Sequence, residues 1–279
     1  MAFVPSADSQ KVLASGEPLA KLLQDATNLN FKVSVPTSYT TVIEAMGANQ
    51  VDVGWLAPFA YVLAHDKNGS QVLLASVRQG SKTYRSQIVV RADSGITTIE
   101  QLRGKKFAFV DPLSASGYVY PTLVVKNKTG QDPKTFFSST IFAGGHPQAA
   151  LAVYQGTVDG AATFIDARDS LVATTPDIKT KTKVIDTAGP IPNDGVALVK
   201  GFPDDIAKQV KDALIAYSKA DDGKKVFSAL FSWDGIQEIT PSFYDDMKTA
   251  AALAGVDVQG LANATPRPAA TTAAPSKSP

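Results

Sequence analysis

Apolar stretches of strand length alternate with stretches of helical periodicity along nearly the whole chain, and no other feature narrows its architecture as far. Residues 9–26 place Val12, Leu13, Leu19, Leu22 and Leu23 at helical spacing, and residues 31–35 then read as a strand. Ser38 suits the N-cap of a helix carrying Val42, Ile43 and Met46. Strands are expected at 51–55, 71–77 and 87–91, with a helix at 58–65 between the first two. Thr97-Thr-Ile-Glu100 has the form of a capping box ahead of Gly104, and 106–110 is again a strand. Pro121 belongs in the first turn of a helix ending near Lys128. Helices at 146–155 and 166–173 flank a strand at 160–164, strands follow at 184–185 and 196–199, and the pattern after Gly201 is helical: 204–219, 224–231 and 244–253. Such alternation builds βαβ units and a mostly parallel sheet. The expected fold is α/β with two lobes, residues 1–90 with 201–264 and an inserted 91–200, the chain crossing near Arg91 and returning near Lys200. Residues 265–279 are chiefly Ala, Thr, Pro and Ser, cannot bury a core, and read as a disordered tail.

Composition excludes several kinds of function. A chain of 279 residues, 44% of them hydrophobic, can bury two cores. Its net charge of +1 gives no basic excess for nucleic acid, and no cationic amphipathic stretch marks a membrane surface. The absence of cysteine rules out disulfides, thiolate metal sites and Cys nucleophiles, and two histidines are few for a metal site. No apolar run approaches the roughly 20 residues that span a bilayer. The chain starts without a signal peptide, which leaves a cytosolic protein or a mature exported one whose signal has been removed as the two expectations. No phosphate-binding or dinucleotide loop and no nucleophile elbow is present, so no cofactor and no enzymatic activity are expected.

The chemistry concentrates at helix starts. Asp111-Pro-Leu-Ser-Ala-Ser-Gly-Tyr118 follows a strand and opens a helix, so the N–H groups from Ser114 to Gly117 point outward with the positive end of the helix dipole. Ser114 and Ser116 add hydroxyls; an ordinary Ser cap is the competing reading. Thr37, Ser38 and Tyr39 repeat the design at a second helix start. His146, after a Gly pair, can donate an imidazole N–H to an oxyanion, whereas His65 beside Asp66 reads as a solvated or capping residue. Asp166 and Asp194 can accept from a protonated oxygen or pair with an ammonium, or merely cap and turn the chain. Tyr84 and Trp55 stand at strand ends, where clefts of α/β sheets form, or in the core.

In this order the segments resemble the phosphonate/phosphite-binding proteins of ABC transporters: Phe3-Val-Pro-Ser6, Pro36-Thr-Ser-Tyr39, Val51-Asp-Val-Gly-Trp55, Asp111-Pro-x-Ser-x-Ser-Gly117, Ala143-Gly-Gly-His146 and Ile191-Pro-Asn-Asp194. The resemblance implies a type II periplasmic-binding-protein fold, two α/β lobes joined by a two-strand hinge around a ligand cleft. It gives Tyr39, Tyr84, Ser114, Ser116, His146 and Asp194 to the ligand, and Asp166 to an aminoalkyl group where the ligand has one. Ala115 stands where the family has a central Thr, which removes a side-chain donor and leaves the backbone N–H. The implied partners are a small phosphorus oxyanion and a membrane permease, with no nucleic acid. The expected form is a periplasmic or lipid-anchored monomer. Phosphate, sulfate or a phosphorylated vitamin as ligand, and a sensory domain on the same fold, are the competing expectations.

Overall fold

A computed structural model of the chain describes residues 1–165 and 167–256. Ten strands are described: β1 (Ala2–Phe3), β2 (Val53–Leu56), β3 (Gln71–Val77), β4 (Thr83–Arg91), β5 (Lys106–Phe109), β6 (Ser139–Phe142), β7 (Gly160–Phe164), β8 (Thr182–Pro192), β9 (Gly195–Leu198) and β10 (Gly235–Glu238). The helices are α1 (Ser9–Thr27), α2 (Tyr39–Gly47), α3 (Pro58–Asn68), α4 (Tyr120–Thr129), α5 (Pro133–Phe136), α6 (His146–Tyr154), α7 (Ile178–Lys181), α8 (Asp204–Lys219), α9 (Asp221–Phe231) and α10 (Asp245–Ala254). They cover two five-stranded sheets, ordered β1-β2-β9-β3-β10 and β6-β5-β7-β4-β8. Among the described residues no helix is long and apolar enough to cross a membrane.

The two places where the chain changes sheet lie earlier than the sequence pattern suggests. Strand β4, whose segment 87–90 was assigned to the first lobe, pairs antiparallel with β7 and β8 in the second sheet. Strand β9, assigned to the second lobe, lies between β2 and β3 in the first. The crossings are therefore the turn between Val77 and Thr83 and the link between Pro192 and Gly195. Periodicity says that a segment is extended but not which sheet it joins, because register and partner are settled by hydrogen bonding to distant strands. Asn193 ties the crossings together: its side-chain amide donates to Ser76 O (3.0 Å) and Ser81 O (2.8 Å), and its carbonyl accepts from the Tyr244 hydroxyl (2.8 Å).

Several local expectations also change. Residues 31–35 form only a bridge from Ser34 to Ala2, since β1 itself is two residues long. The capping box at 97–100 is replaced by Gln101, whose side-chain oxygen accepts from the Thr97 and Thr98 N–H groups. The helix expected at 166–173 is a 3-10 turn, Ala167–Leu171, and β8 is far longer than Val184-Ile185. Strands β6 and β10 went unread because they are short edge strands, and β6 is exposed throughout. Residues 265–279 lie outside the described residues.

Trp55, one of the cleft candidates, is core. It stacks on Phe3 at 4.9 Å and on Trp233 at 5.8 Å between ring centroids. Another apolar cluster passes between the sheets, bringing Leu113, Ala115 and Val119 against Tyr39, Ala57 and Tyr244. Helix α10 belongs to this contact: Lys126 of α4 donates to Ala254 O (2.6 Å) at its C-terminus, where a cation is favoured, while Lys248 pairs with Asp66 of α3 (2.7 Å).

Candidate functional site

Tyr39 is the first residue of α2. Ser38 caps that helix with its hydroxyl, which accepts from Thr41 N–H (3.2 Å), so Ser38 serves the backbone and the tyrosine ring is driven inward. The ring is fully buried, and its hydroxyl has no partner in hydrogen-bonding geometry; the Ser6 hydroxyl lies near without forming a bond. Burial, with the nearby Asp111 and Asp194 carboxylates, pushes the phenol well above its usual range, so it stays neutral and keeps its O–H to donate.

Strand β5 delivers the second group. Beyond it, Ala115–Val119 winds as a π-turn leading directly into α4. Gly117 is required there, because a Cβ would fall 2.5 Å from the Val110 side chain. The turn spends some of the donors expected to be outward-facing: Ser114 N–H goes to Asp111 O (2.9 Å), and Gly117 N–H goes to the Ser114 hydroxyl (3.0 Å). The N–H groups of Ala115 and Ser116 have no acceptor among the described residues. Ser116 is held twice, its hydroxyl accepting from Tyr84 (3.2 Å) and its carbonyl from Ser86 (2.6 Å). Behind the turn, Asp111 accepts from Leu113 N–H (2.8 Å), and its carboxyl is pushed up to about 6 by burial, an effect opposed by the backbone N–H groups of Leu113 and Tyr39.

His146 opens α6, and its own N–H donates to Ser6 O (3.2 Å) across the gap between the sheets. Its Nδ1 accepts from Phe164 N–H (3.1 Å). A nitrogen that accepts carries no proton, so the proton sits on Nε2, which is left as a donor. Burial, with the Arg78 charge, lowers its pKa to about 3, and the ring is therefore neutral at physiological pH.

The crossings supply the rest. Asp194 is partly buried, and burial raises its carboxyl to about 6 against the pull of Arg78. Arg78 also lines the cavity, and neither the helix-start pattern nor the resemblance pointed to it. It sits on the turn whose ends are closed by Arg78 N–H to Ser81 O and Ser81 N–H to Arg78 O, both 2.9 Å. Its guanidinium lies 4.6 Å from the Phe164 ring centroid and 5.8 Å from that of Tyr84, and it donates to Phe231 O (2.5 Å). The available signal was an arginine in a Gly-containing turn between two strands, six residues before the pocket tyrosine.

Tyr39, Tyr84, Ser114, His146 and Asp194 line one cavity of about 20 Å³ between the sheets, together with Ser6, Ala57, Arg78, Phe164, Asn193 and Phe231. Ser116 reaches it through its bond to Tyr84. The Ala115 methyl is buried in the apolar cluster between the sheets, so only its backbone serves the site. Asp166 lies outside the described residues. His65 is a local contact, its Nδ1 2.9 Å from Ser70 O. A larger open groove of about 680 Å³, beside Phe31 and Phe202, holds none of these polar residues.

Two α/β layers closing on a small polar cavity at paired crossings define a two-lobed, cleft-type binding protein. Within that class the chain belongs to the periplasmic substrate-binding proteins of ABC phosphonate transporters, matched over residues 1–244. The family is one of transport proteins, not of enzymes. The phosphate-import protein PhnD of Mycolicibacterium smegmatis is 34% identical over 64% of this chain, and the phosphonates-binding periplasmic protein of Escherichia coli is 26% identical over 82%. The chain spans 59% and 68% of their respective lengths. A crystal structure of the binding-protein component of a Pseudomonas aeruginosa ABC phosphonate transporter superimposes with a TM-score of 0.84 at 25% identity, covering 95% of this chain and 89% of that one. A Prochlorococcus marinus protein in complex with methylphosphonate shares the fold, with a TM-score of 0.80 at 17% identity over 90% and 96% of the two chains.

Proposed function

We propose that this protein captures a small phosphorus oxyanion, a phosphonate or phosphite, by closing its lobes on it, and delivers it outside the cytoplasm to a membrane permease. The observation that carries the reading is an excess of unspent donors around a small buried space. The Tyr39 hydroxyl, His146 Nε2–H and the N–H groups of Ala115 and Ser116 lack protein acceptors. Each such donor, if left unpaired on burial, costs about 1–3 kcal/mol. An oxyanion with several oxygens satisfies them together, and donors from both lobes need closure to meet it.

Asp194 refines the choice. As an acceptor it suits a ligand that keeps one P–OH proton, and it disfavours fully ionised sulfate. A single phosphorus centre with a small substituent suits so confined a space better than a phosphorylated vitamin does. The mycobacterial relative, which is named for phosphate import, supports inorganic phosphate as the second reading. The lobes are residues 1–77 with 195–256, and 83–192, hinged where Asn193 joins the crossings. The protein works as a monomer, held to the outer face of the membrane or free in the periplasm.

Thermal melts and calorimetric titration with phosphite, methylphosphonate, phosphate and sulfate test the reading. One phosphorus ligand at a thousand times its Kd raises stability by about 4 kcal/mol. Equal responses to sulfate, or none to any phosphorus compound, would refute it.

A further inference from the structure

We propose that Arg78 restricts this site to oxyanions with a small uncharged substituent, and that it rejects phosphonates carrying a cationic aminoalkyl group. The inference rests on the reading above and names the ligand class within it.

Among the described residues, Arg78 is the only Lys or Arg lining the cavity. It is fixed from three directions, by the Phe164 ring, the Tyr84 ring and the bond to Phe231 O. It forms no ion pair among the described residues, although the Asp194 carboxyl on the same lining feels its charge. The donor groups around Tyr39, His146 and the π-turn fit the oxygens of the anion. A substituent on phosphorus must then face the remaining lining, which is Arg78, Phe164, Phe231, Ala57, Ser6 and Asn193. Arg78 is its one charged group, set among the apolar Phe164, Phe231 and Ala57. Asp194, the acceptor on the lining, is engaged by the P–OH. A methyl group or hydrogen fits against Phe164 and Phe231 at no electrostatic cost. An ammonium about 6 Å from the guanidinium, at an effective permittivity near 20, loses about a hundred-fold in affinity.

The test is calorimetric titration of the wild type, Arg78→Met and Arg78→Lys with methylphosphonate, ethylphosphonate and 2-aminoethylphosphonate. Ethylphosphonate matches the aminoethyl compound in length and separates charge from size. The wild type is expected to bind ethylphosphonate at least about 30-fold more tightly than 2-aminoethylphosphonate, since solvent screening trims the full Coulomb value. Arg78→Met narrows that ratio at least ten-fold, and Arg78→Lys, which keeps the charge, preserves it. The lysine variant and a melt of each protein separate charge from any folding defect. A ratio unchanged in Arg78→Met, or wild-type binding of the two compounds with equal affinity, overturns the inference. Equal binding would favour the ammonium role that the resemblance assigns to Asp166. If the wild type binds none of the three, nor phosphite or phosphate, the site reading itself has failed and the inference falls with it.

Discussion

Replacing Tyr39 with Phe removes one oxygen atom from the centre of the proposed site and nothing else. The hydroxyl is fully buried and makes no protein hydrogen bond, so the ligand-free fold loses no bond when it goes. Stability of the ligand-free protein should change by less than about 1 kcal/mol, which for a chain of this size is within about 3 °C in Tm. Binding should respond very differently. A hydrogen bond to a charged acceptor contributes about 1.5–3 kcal/mol, and each 1.4 kcal/mol is ten-fold in Kd, so affinity should fall by about ten- to a hundred-fold. Calorimetric titration with whichever phosphorus ligand binds the wild type, alongside a melt of the ligand-free variant, reads both quantities. Wild-type affinity in Tyr39→Phe would show that the hydroxyl does not face the ligand. A ligand-free melt lowered by 5 °C or more would show that it has a structural partner, and the donor-excess argument would lose its central member.

Three further outcomes follow from the same geometry. The Asp194 carboxyl is raised from an ordinary value near 3.9 to about 6, so its protonated form is favoured by folding. That contribution is complete below pH 4 and lost as pH rises through 6. Asp194→Asn should therefore melt higher than wild type at pH 7.5, by up to about 2–3 kcal/mol, and the two should converge near pH 4. Gly117→Ala places a methyl against Val110, which should cost about 1–3 kcal/mol in a urea melt and weaken binding by displacing the π-turn. Unchanged stability would show that the turn relaxes freely. Lys126→Met leaves the cavity untouched but removes the cation that caps α10 from the other lobe. A contribution of about 0.3–1 kcal/mol to closure should appear as a two- to five-fold weaker Kd, mostly through faster ligand release, and an unaltered release rate would remove α10 from the closure contact.

Local chemistry was strong enough to be read from the sequence wherever a group acts through its own backbone. Ser38 and Ser114 are helix caps because a hydroxyl accepts from an N–H three residues on, and that depends only on spacing. The alternation of strands and helices likewise revealed an α/β chain, and the family resemblance drew Tyr39, Tyr84 and His146 together before any coordinates did. Tertiary structure decided what local rules leave open. The tautomer of His146 is set by the N–H of Phe164, eighteen residues away. The number of donors left at the π-turn depends on Gly117 turning its N–H back to Ser114. The sheet changes moved from Arg91 and Lys200 to the turns before Thr83 and Gly195, because strand pairing is a long-range choice. Arg78 joined the site only because that turn lies beside Phe164 and Phe231, from the opposite sheet and a distant helix end. A lone arginine in a surface-like turn carries no pattern; its role is fixed by neighbours that only folding brings close.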